Sequence, residues 1–483
     1  MIDHSALRSG VVMIDNERAR FWAFSVSGFV ILLIVTSTAG AVQTQNPFLG
    51  SVPAGQATGT TLELSLKDAL ERALKYNLGV IESSQNIRAA QAARLRSLNG
   101  LLPNLSARLS GALEQINLRA GGFNVNIPGV RVPTLVGPFG VADARAYLSQ
   151  QVFNLSDIKN WRSASESEKA SQYTYKRDRD LVVLTAGEAY LLVISDIATT
   201  DSIRARVETA QTLYRNDVDQ NRQGVIAGID VLRAQVELQT EQQRLISAEN
   251  QLSIDKLTLA RVIGLPSGQE FRLADSVPYV PLTDMSLEES LKQARLTRPD
   301  YLSAEAQVRA AELARRAAAA ENYPSLSTDA NYGDIGSPNF GTSHGTFSIA
   351  VGLNLPVFQG SRVRADKLQA DSALEQRKAE LADLGGRIDD EVRTAFFNFR
   401  SSSELVTVAR SNVNLATQTL TQAQDRFQAG VADNLEVVQA QESVASANQS
   451  YIASLYSFNV SKLSLALALG VAEQSALQYL GVK

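Results

Sequence analysis

Few side chains in this sequence could make or break a bond. Its 483 residues include no cysteine and two histidines, His4 and His344. Disulfides, thiolate metal sites, Cys nucleophiles and His-based triads therefore fall away. There is no phosphate-binding glycine loop with its lysine and no HExxH, and carboxylates scattered along helices are not an acid–base pair. No active site, metal or cofactor is expected. The charged residues offer electrostatics instead: Asp217, Asp219, Asp425 and Asp433 lie beside two glycine-bearing turns, with Arg215, Arg222 and Arg426 among them as potential ion-pair partners. The formal net charge is −4 and no basic stripe stands out, which gives nucleic-acid binding no footing.

Those turns must be held by unusually long helices. From Ser156 to Asn221 there is no proline and a single glycine, Gly187; from Ser361 to Gln428 only Gly385 and Gly386 interrupt. Either helix, if continuous, extends about 100 Å. Each ends in a glycine turn, Gly224 to Gly228 or Gly430 to Asn434, and a returning helix follows to Gly264 or Gly470. Along Ser401 to Arg426, positions Leu405, Val408, Asn412, Leu415, Thr419, Gln422 and Arg426 recur with coiled-coil spacing. Ala409, Ala416 and Ala423 form a second stripe beside it, so one helix is expected to pack on two sides. Charged residues at 20% and aromatics at 6% suit long helices joined through small side chains.

The chain is duplicated. Ser65–Leu105 aligns without a gap onto Ser286–Leu326, 221 residues later, and the second halves match at an offset of 206, pairing Gly224 with Gly430 and Gly264 with Gly470. The order in each copy is helix, strand, loop, strand, long helix, helix. The expected organisation is a segment over 42–64, repeat one over 65–264, a linker over 265–285, repeat two over 286–470 and a tail over 471–483. The short helices Leu66 to Asn99 and Leu287 to Tyr323 are each broken near the middle, at Asn77 or at Arg298-Pro299, and stop before Pro103 or Pro324.

After those prolines the period changes to two. Phe347, Ile349, Val351, Leu353 and Leu355 alternate with Ser348, Ala350, Gly352 and Asn354, so a strand over 346–356 has one face for lipid and one for water. Its 11 residues match a tilted transmembrane strand. A partner over 326–332 precedes it, with a loop from Gly333 to Gly345 between them. In copy one a strand over 105–118 places Leu105, Leu109 and Leu113 against Ser106, Arg108 and Ser110, and a loop from Arg119 to Gly140 leads to a strand over 142–152. There Ala144, Ala146 and Leu148 are expected to face lipid, and Asp143, Arg145, Tyr147 and Ser149 water. Four strands cannot close on themselves, and open edges in hydrocarbon leave backbone groups unpaired at several kcal/mol each. A membrane barrel would have to be shared between chains. The alternative is a periplasmic coiled-coil scaffold with soluble hairpins.

The N-terminus has basic Arg18 and Arg20, an apolar run from Phe21 to Val35 and small residues at Ala39-Gly-Ala41. It reads as a signal peptide over 1–41, since the run falls short of the ~20 residues of a spanning helix. No later run approaches that length without charges, so the mature chain is expected to have no transmembrane helix.

Several motifs together resemble the TolC-type outer membrane efflux proteins. They are Leu66–Leu74 with Asn77, the two pre-strand prolines, Leu355-Pro-Val-Phe-Gln-Gly360, Asp230-Val-Leu-Arg-Ala-Gln235, Glu436-Val-Val-Gln-Ala-Gln441 and Leu467-Ala-Leu-Gly470. The resemblance covers about 62–471. It implies a mainly α fold with a transmembrane β part: a homotrimer whose twelve-stranded β-barrel sits in outer-membrane lipid on a twelve-helix periplasmic α-barrel. It implies the exit duct of a tripartite pump or secretion system, with a periplasmic adaptor and an inner-membrane transporter as partners. The adaptor contacts would be Gly224, Val225, Ile226 and Ala227, and Gly430, Val431, Ala432 and Asp433. Under threefold symmetry Asp217, Asp219, Asp425 and Asp433 would form rings at a constriction, and Arg215, Arg222 and Arg426 would pair with them to hold it closed. Gln150-Gln-Val-Phe153 lacks the proline of copy two, and Thr421 stands where the family can place an acid.

Overall fold

The computed structural model describes residues 46–122, 129, 133–275, 279–281, 285–337, 344–429, 431 and 434–481. The signal-peptide reading of 1–41 lies outside them. After a 3-10 turn at Pro47–Leu49, the elements run β1 (Leu62–Leu64), α1 (Leu66–Tyr76), α2 (Leu78–Asn99), β2 (Asn104–Asn117), β3 (Leu135–Phe153), α3 (Leu155–Arg222), α4 (Gly228–Val262) and β4 (Phe271–Leu273). The second copy gives α5 (Leu287–Thr297), α6 (Pro299–Ala320), β5 (Ser325–Gly336), β6 (His344–Asn354), α7 (Arg362–Gln428) and α8 (Asn434–Ala468), and α9 (Ala472–Leu480) closes the chain.

Local chemistry explains the boundaries. Ser65 and Ser286 open α1 and α5 with equivalent capping boxes, each serine bonding the residue three ahead and receiving its carboxylate in return. Asn154 caps α3, accepting from the Ser156 and Asp157 backbone N–H groups. Runs of 68 and 67 residues without a proline then give α3 and α7.

The helices form two successive sets along the long helices α3 and α7, which both sets share. Nearer the strands the order is α2–α3–α6–α7; nearer the turns it is α4–α3–α8–α7. The main core gathers where the repeats meet, with Leu66, Ala69, Val182, Val183, Ala186, Tyr190, Val193, Leu259, Ile263 and Leu463 buried together. An 18-residue window of α3 is apolar enough to pass for a membrane span, but Glu188 and Asp196 interrupt the apolar side chains there, so the expectation of no charge-free run of that length stands. Those apolar side chains enter this core.

Three segments read as connections carry structure. β1 pairs in parallel with β4, fastened by the Leu66 N–H and the Tyr190 hydroxyl, both donating to Asp275 Oδ2 at 2.6 and 3.2 Å. The expected tail forms α9, whose Glu473 backbone N–H donates to Asp180 Oδ1 at 2.8 Å while its carboxylate takes both ends of the Arg179 fork.

The two stripes on α7 divide. Ala409 and Ala423 are buried within the chain, whereas Leu405, Val408 and Leu415 are each more than half exposed. Small side chains let α8 approach closely, so the alanine stripe takes the intrachain contact and the larger residues point away from it.

Candidate functional site

The four longer strands make one antiparallel sheet in the order β2–β3–β5–β6. β3 begins at Leu135 rather than 142, passing the chain's Pro138 at a β-bulge opposite Glu114/Ile116. β5 runs on to Gly336 and β6 starts at His344, so the loop between them is shorter than the Gly333 to Gly345 expected. β6 ends at Asn354, which leaves Leu355 beyond the strand.

Register assigns each residue a face. Ala107, Ala146, Tyr332 and Phe347 lie in one cross-strand row, and Leu105, Leu148, Ala330 and Ile349 in the next. With Leu109, Val351 and Leu353 they make a continuous apolar face, and its large side chains are highly exposed: Leu109 at 77%, Phe347 at 76% and Ile349 at 70%. The opposite face carries Ser106, Tyr147, Asn331 and Ser348 in one row, and Arg108, Arg145, Gly333 and Thr346 in the next. An exposed apolar face this continuous, backed by a polar one, matches a wall between hydrocarbon and water. β2 and β6 have no partner strand on their outer sides among the described residues.

At the far end of the helices, Gly224 adopts φ +80 and reverses the chain. The Val225 N–H donates to Gln220 O at 2.9 Å, and Asn221 Nδ2 holds the Ile226 carbonyl at 2.9 Å. Val225 is left 68% exposed, and Val431 at the second turn 70%. Gly430, Ala432 and Asp433 lie outside the described residues.

The charged residues near these turns separate. Asp219 pairs with Arg222 at 3.3 Å on an exposed surface, and Asp425 is exposed. Arg426 pairs with Glu436 at 3.2 Å rather than with an aspartate, and exposed Arg215 has no ion-pair partner among the described residues. Asp217 is buried with Oδ2 unbonded. Burial, reinforced by Asp230, holds its carboxyl above the usual range.

Sequence reading missed a cluster between the two helical hairpins. Arg244 Nη1 sits 2.6 Å from Glu241 and 3.3 Å from Glu442, and Arg206 Nε 3.4 Å from Glu241. Glu237, Glu241 and Glu442 bring carboxylate oxygens within 4.8 Å of one another. Two guanidiniums offset most of the charge of these three carboxylates, and Arg244 ties α4 to α8 through Glu442. A cavity of about 380 Å³ borders it, lined in part by Ser202, Thr209, Leu420 and Asn448. Positions 206, 241 and 442 share no local pattern, and only folding brings them together.

Comparison with known proteins agrees with this geometry. Residues 290–471 match the family described as outer membrane efflux protein. The chain is 27% identical over 434 residues to the pyoverdine export outer membrane protein OpmQ of Pseudomonas aeruginosa, covering 86% of this chain and 87% of that one. It is 23% identical to the outer membrane protein TolC of Escherichia coli, over 69% of this chain and 70% of that one. The Campylobacter jejuni CmeC outer membrane channel superposes with a TM-score of 0.72 at 16% identity, covering 88% and 92% of the two chains. Residues 290–471 thus carry an outer membrane efflux protein domain, the chain is similar over most of its length to outer membrane proteins of the TolC type, and the protein resides in the outer membrane.

Proposed function

We propose that three copies of this chain form a passive exit duct, a twelve-stranded barrel in the outer membrane continued into the periplasm by a tube of twelve helices. The observation that carries this reading is the four-stranded sheet with an exposed apolar face and two edge strands, β2 and β6, that lack an outer partner among the described residues. In hydrocarbon those edges require partners, and a neighbouring copy supplies one for each.

The helices support the same closure. α7 lies at one edge of both helix sets, and α2 and α4 lie at the other. Leu405, Val408 and Leu415 of α7 are exposed, as are Leu232, Val236 and Ile246 of α4. Head-to-tail contact would cover both seams and close a ring. The scaffold alternative leaves the apolar sheet face in water.

The partners on this reading are a periplasmic adaptor, meeting Gly224, Val225, Ile226 and Ala227 and the second tip at Gly430, Val431, Ala432 and Asp433, and an inner-membrane transporter that selects the cargo. Asp217, Asp219, Asp425 and Asp433 are the candidates for a cation-attracting constriction, Asp217 being buried within the chain. Arg215, Arg222 and Arg426 would hold it shut. Residues 1–41 would be removed on export. The names of relatives range from pyoverdine export to toluene efflux, which fits a wide duct whose selectivity lies upstream. Outer-membrane fractionation with heat-modifiable migration tests the proposal; recovery as a soluble periplasmic protein would overturn it.

A further inference from the structure

Arg108 on β2 and Arg145 on β3 stand directly opposite each other on the polar face of the sheet. Like charges in that position are mutually destabilising, and the nearest carboxylate, Asp143, bonds Arg145 and acts on Arg108 only through space. Arg145 takes Asp143 of its own strand through two bonds, Nε to Oδ1 at 2.7 Å and Nη2 to Oδ2 at 2.5 Å. Arg108 is exposed and has no carboxylate at ion-pair distance among the described residues. Its contact is aromatic: Tyr147 lies diagonally across, with its ring centroid 5.5 Å from the Arg108 Cζ and 5.4 Å from that of Arg145.

The surroundings keep this charge free. Continuing the row, Arg145 faces Gly333, and Gly333 faces Thr346. A Cβ at Gly333 would collide with the Ala144 carbonyl oxygen, so the position stays bare and leaves a flat patch beside Arg145. The next row holds Ser106, Asn331 and Ser348 besides Tyr147, without a carboxylate.

A neighbouring copy would not change this. If β2 pairs with β6 of the next copy, the polar-face residues that β6 presents are His344, Thr346, Ser348, Ala350, Gly352 and Asn354. None is acidic, whatever the register.

We propose that Arg108, Arg145 and Tyr147 form an anion-binding belt in the barrel lumen, suited to planar aromatic anions. The planar guanidiniums would bind sulfonate, carboxylate or phosphate groups through paired N–H donors. The phenol and the bare Gly333 patch would accept a flat ring. Repetition in three copies sets six guanidiniums against three Asp143 carboxylates around one level of the lumen, an excess of positive charge that focuses its field on anions. This inference rests on the proposed channel.

The test uses the full-length protein in lipid nanodiscs, with the trisulfonated dye pyranine as probe and fluorescence anisotropy as readout at low ionic strength. Binding to the wild type is expected, weakening at least tenfold in Arg108→Gln and severalfold in Tyr147→Leu, and falling as salt is raised. Arg272→Gln removes the same charge from the exposed Arg272–Glu63 pair in the separate β1–β4 sheet and is expected to bind as the wild type does. Heat-modifiable migration of each variant reports whether the barrel has formed. Failure of the wild type to form an oligomeric barrel would refute the channel itself. An intact barrel that binds no pyranine, or binds it equally with and without Arg108, would overturn the belt alone.

Discussion

Arg298 occupies in the second repeat the place Asn77 holds in the first, 221 residues earlier. Asn77 Nδ2 approaches the Val262 carbonyl at 3.4 Å, and Arg298 Nη1 approaches the equivalent Ala468 carbonyl at 3.5 Å. Both residues break a short helix and tie the break to the end of a returning one. The residues differ while the tie is kept, since the long Arg298 side chain also reaches Asp300 and Glu391, each at 2.6 Å.

Gly470, two residues beyond that carbonyl, has φ +70, and a Cβ there would lie 2.7 Å from the Arg298 Cα. Gly470→Ala therefore combines left-handed strain with a backbone clash, and a loss of about 2–4 kcal/mol is expected. Chemical denaturation of the detergent-solubilised protein measures it; a loss under half a kcal/mol would show that the junction yields.

Arg244 bridges the hairpins, and Glu241 beneath it is 2% exposed. In Arg244→Ala a buried carboxylate loses its main donor while Arg206 remains at 3.4 Å, so a loss of about 1.5–3 kcal/mol is expected. A double-mutant cycle with Glu442→Gln separates the bridge between hairpins from the bond within α4. Additive effects would contradict the bridge.

Two carboxyls in the helical region set a pH dependence. Burial pushes Asp180 up to about 6, against the opposing hydrogen bond from Glu473. Asp196 is pushed up to about 7, first by burial and then by its hydrogen bond and charge interaction with Asp255. A raised folded-state value means that the native state holds the proton more tightly than the unfolded chain does. This stability is complete below the unfolded-state value near 4, and is lost as pH rises through about 6 and 7. The thermal midpoint should fall between pH 5 and 8, and fall less in Asp196→Asn. Parallel curves for wild type and variant would contradict the assignment.

The outward face of β6 gives a membrane test. Ile349, 70% exposed, would meet acyl chains, and an arginine at a bilayer-facing strand position costs about 2–4 kcal/mol near the midplane. Ile349→Arg should lower the yield of the heat-modifiable oligomer, whereas Ser348→Arg on the polar face should be tolerated. Equal yields would place that face elsewhere.

Much of the fold was legible because long-range order here follows from local rules. The lack of proline between 156 and 221 sets α3 at Leu155–Arg222, and Ser65 and Ser286 mark their helix starts to the residue. The faces of β6 follow from simple alternation. What escaped depended on partners distant in sequence. β1 and β4 are three residues each, and neither is a strand without the other. Pro138 and its glycine neighbours disguised the start of β3, which tolerates them at a bulge. On α7, periodicity found both stripes but not which neighbour takes which. The Arg206–Glu241–Arg244–Glu442 group required α3 to bring α4 and α8 within side-chain reach of each other. Alternation placed Arg108 and Arg145 on the water side, while their opposition is a matter of register.

The central claim is that sister copies complete the barrel, and the mass of the purified particle tests it most directly. Light scattering of the detergent-solubilised mature protein, corrected for bound detergent, should give three chains per particle. A monodisperse single chain would contradict the account.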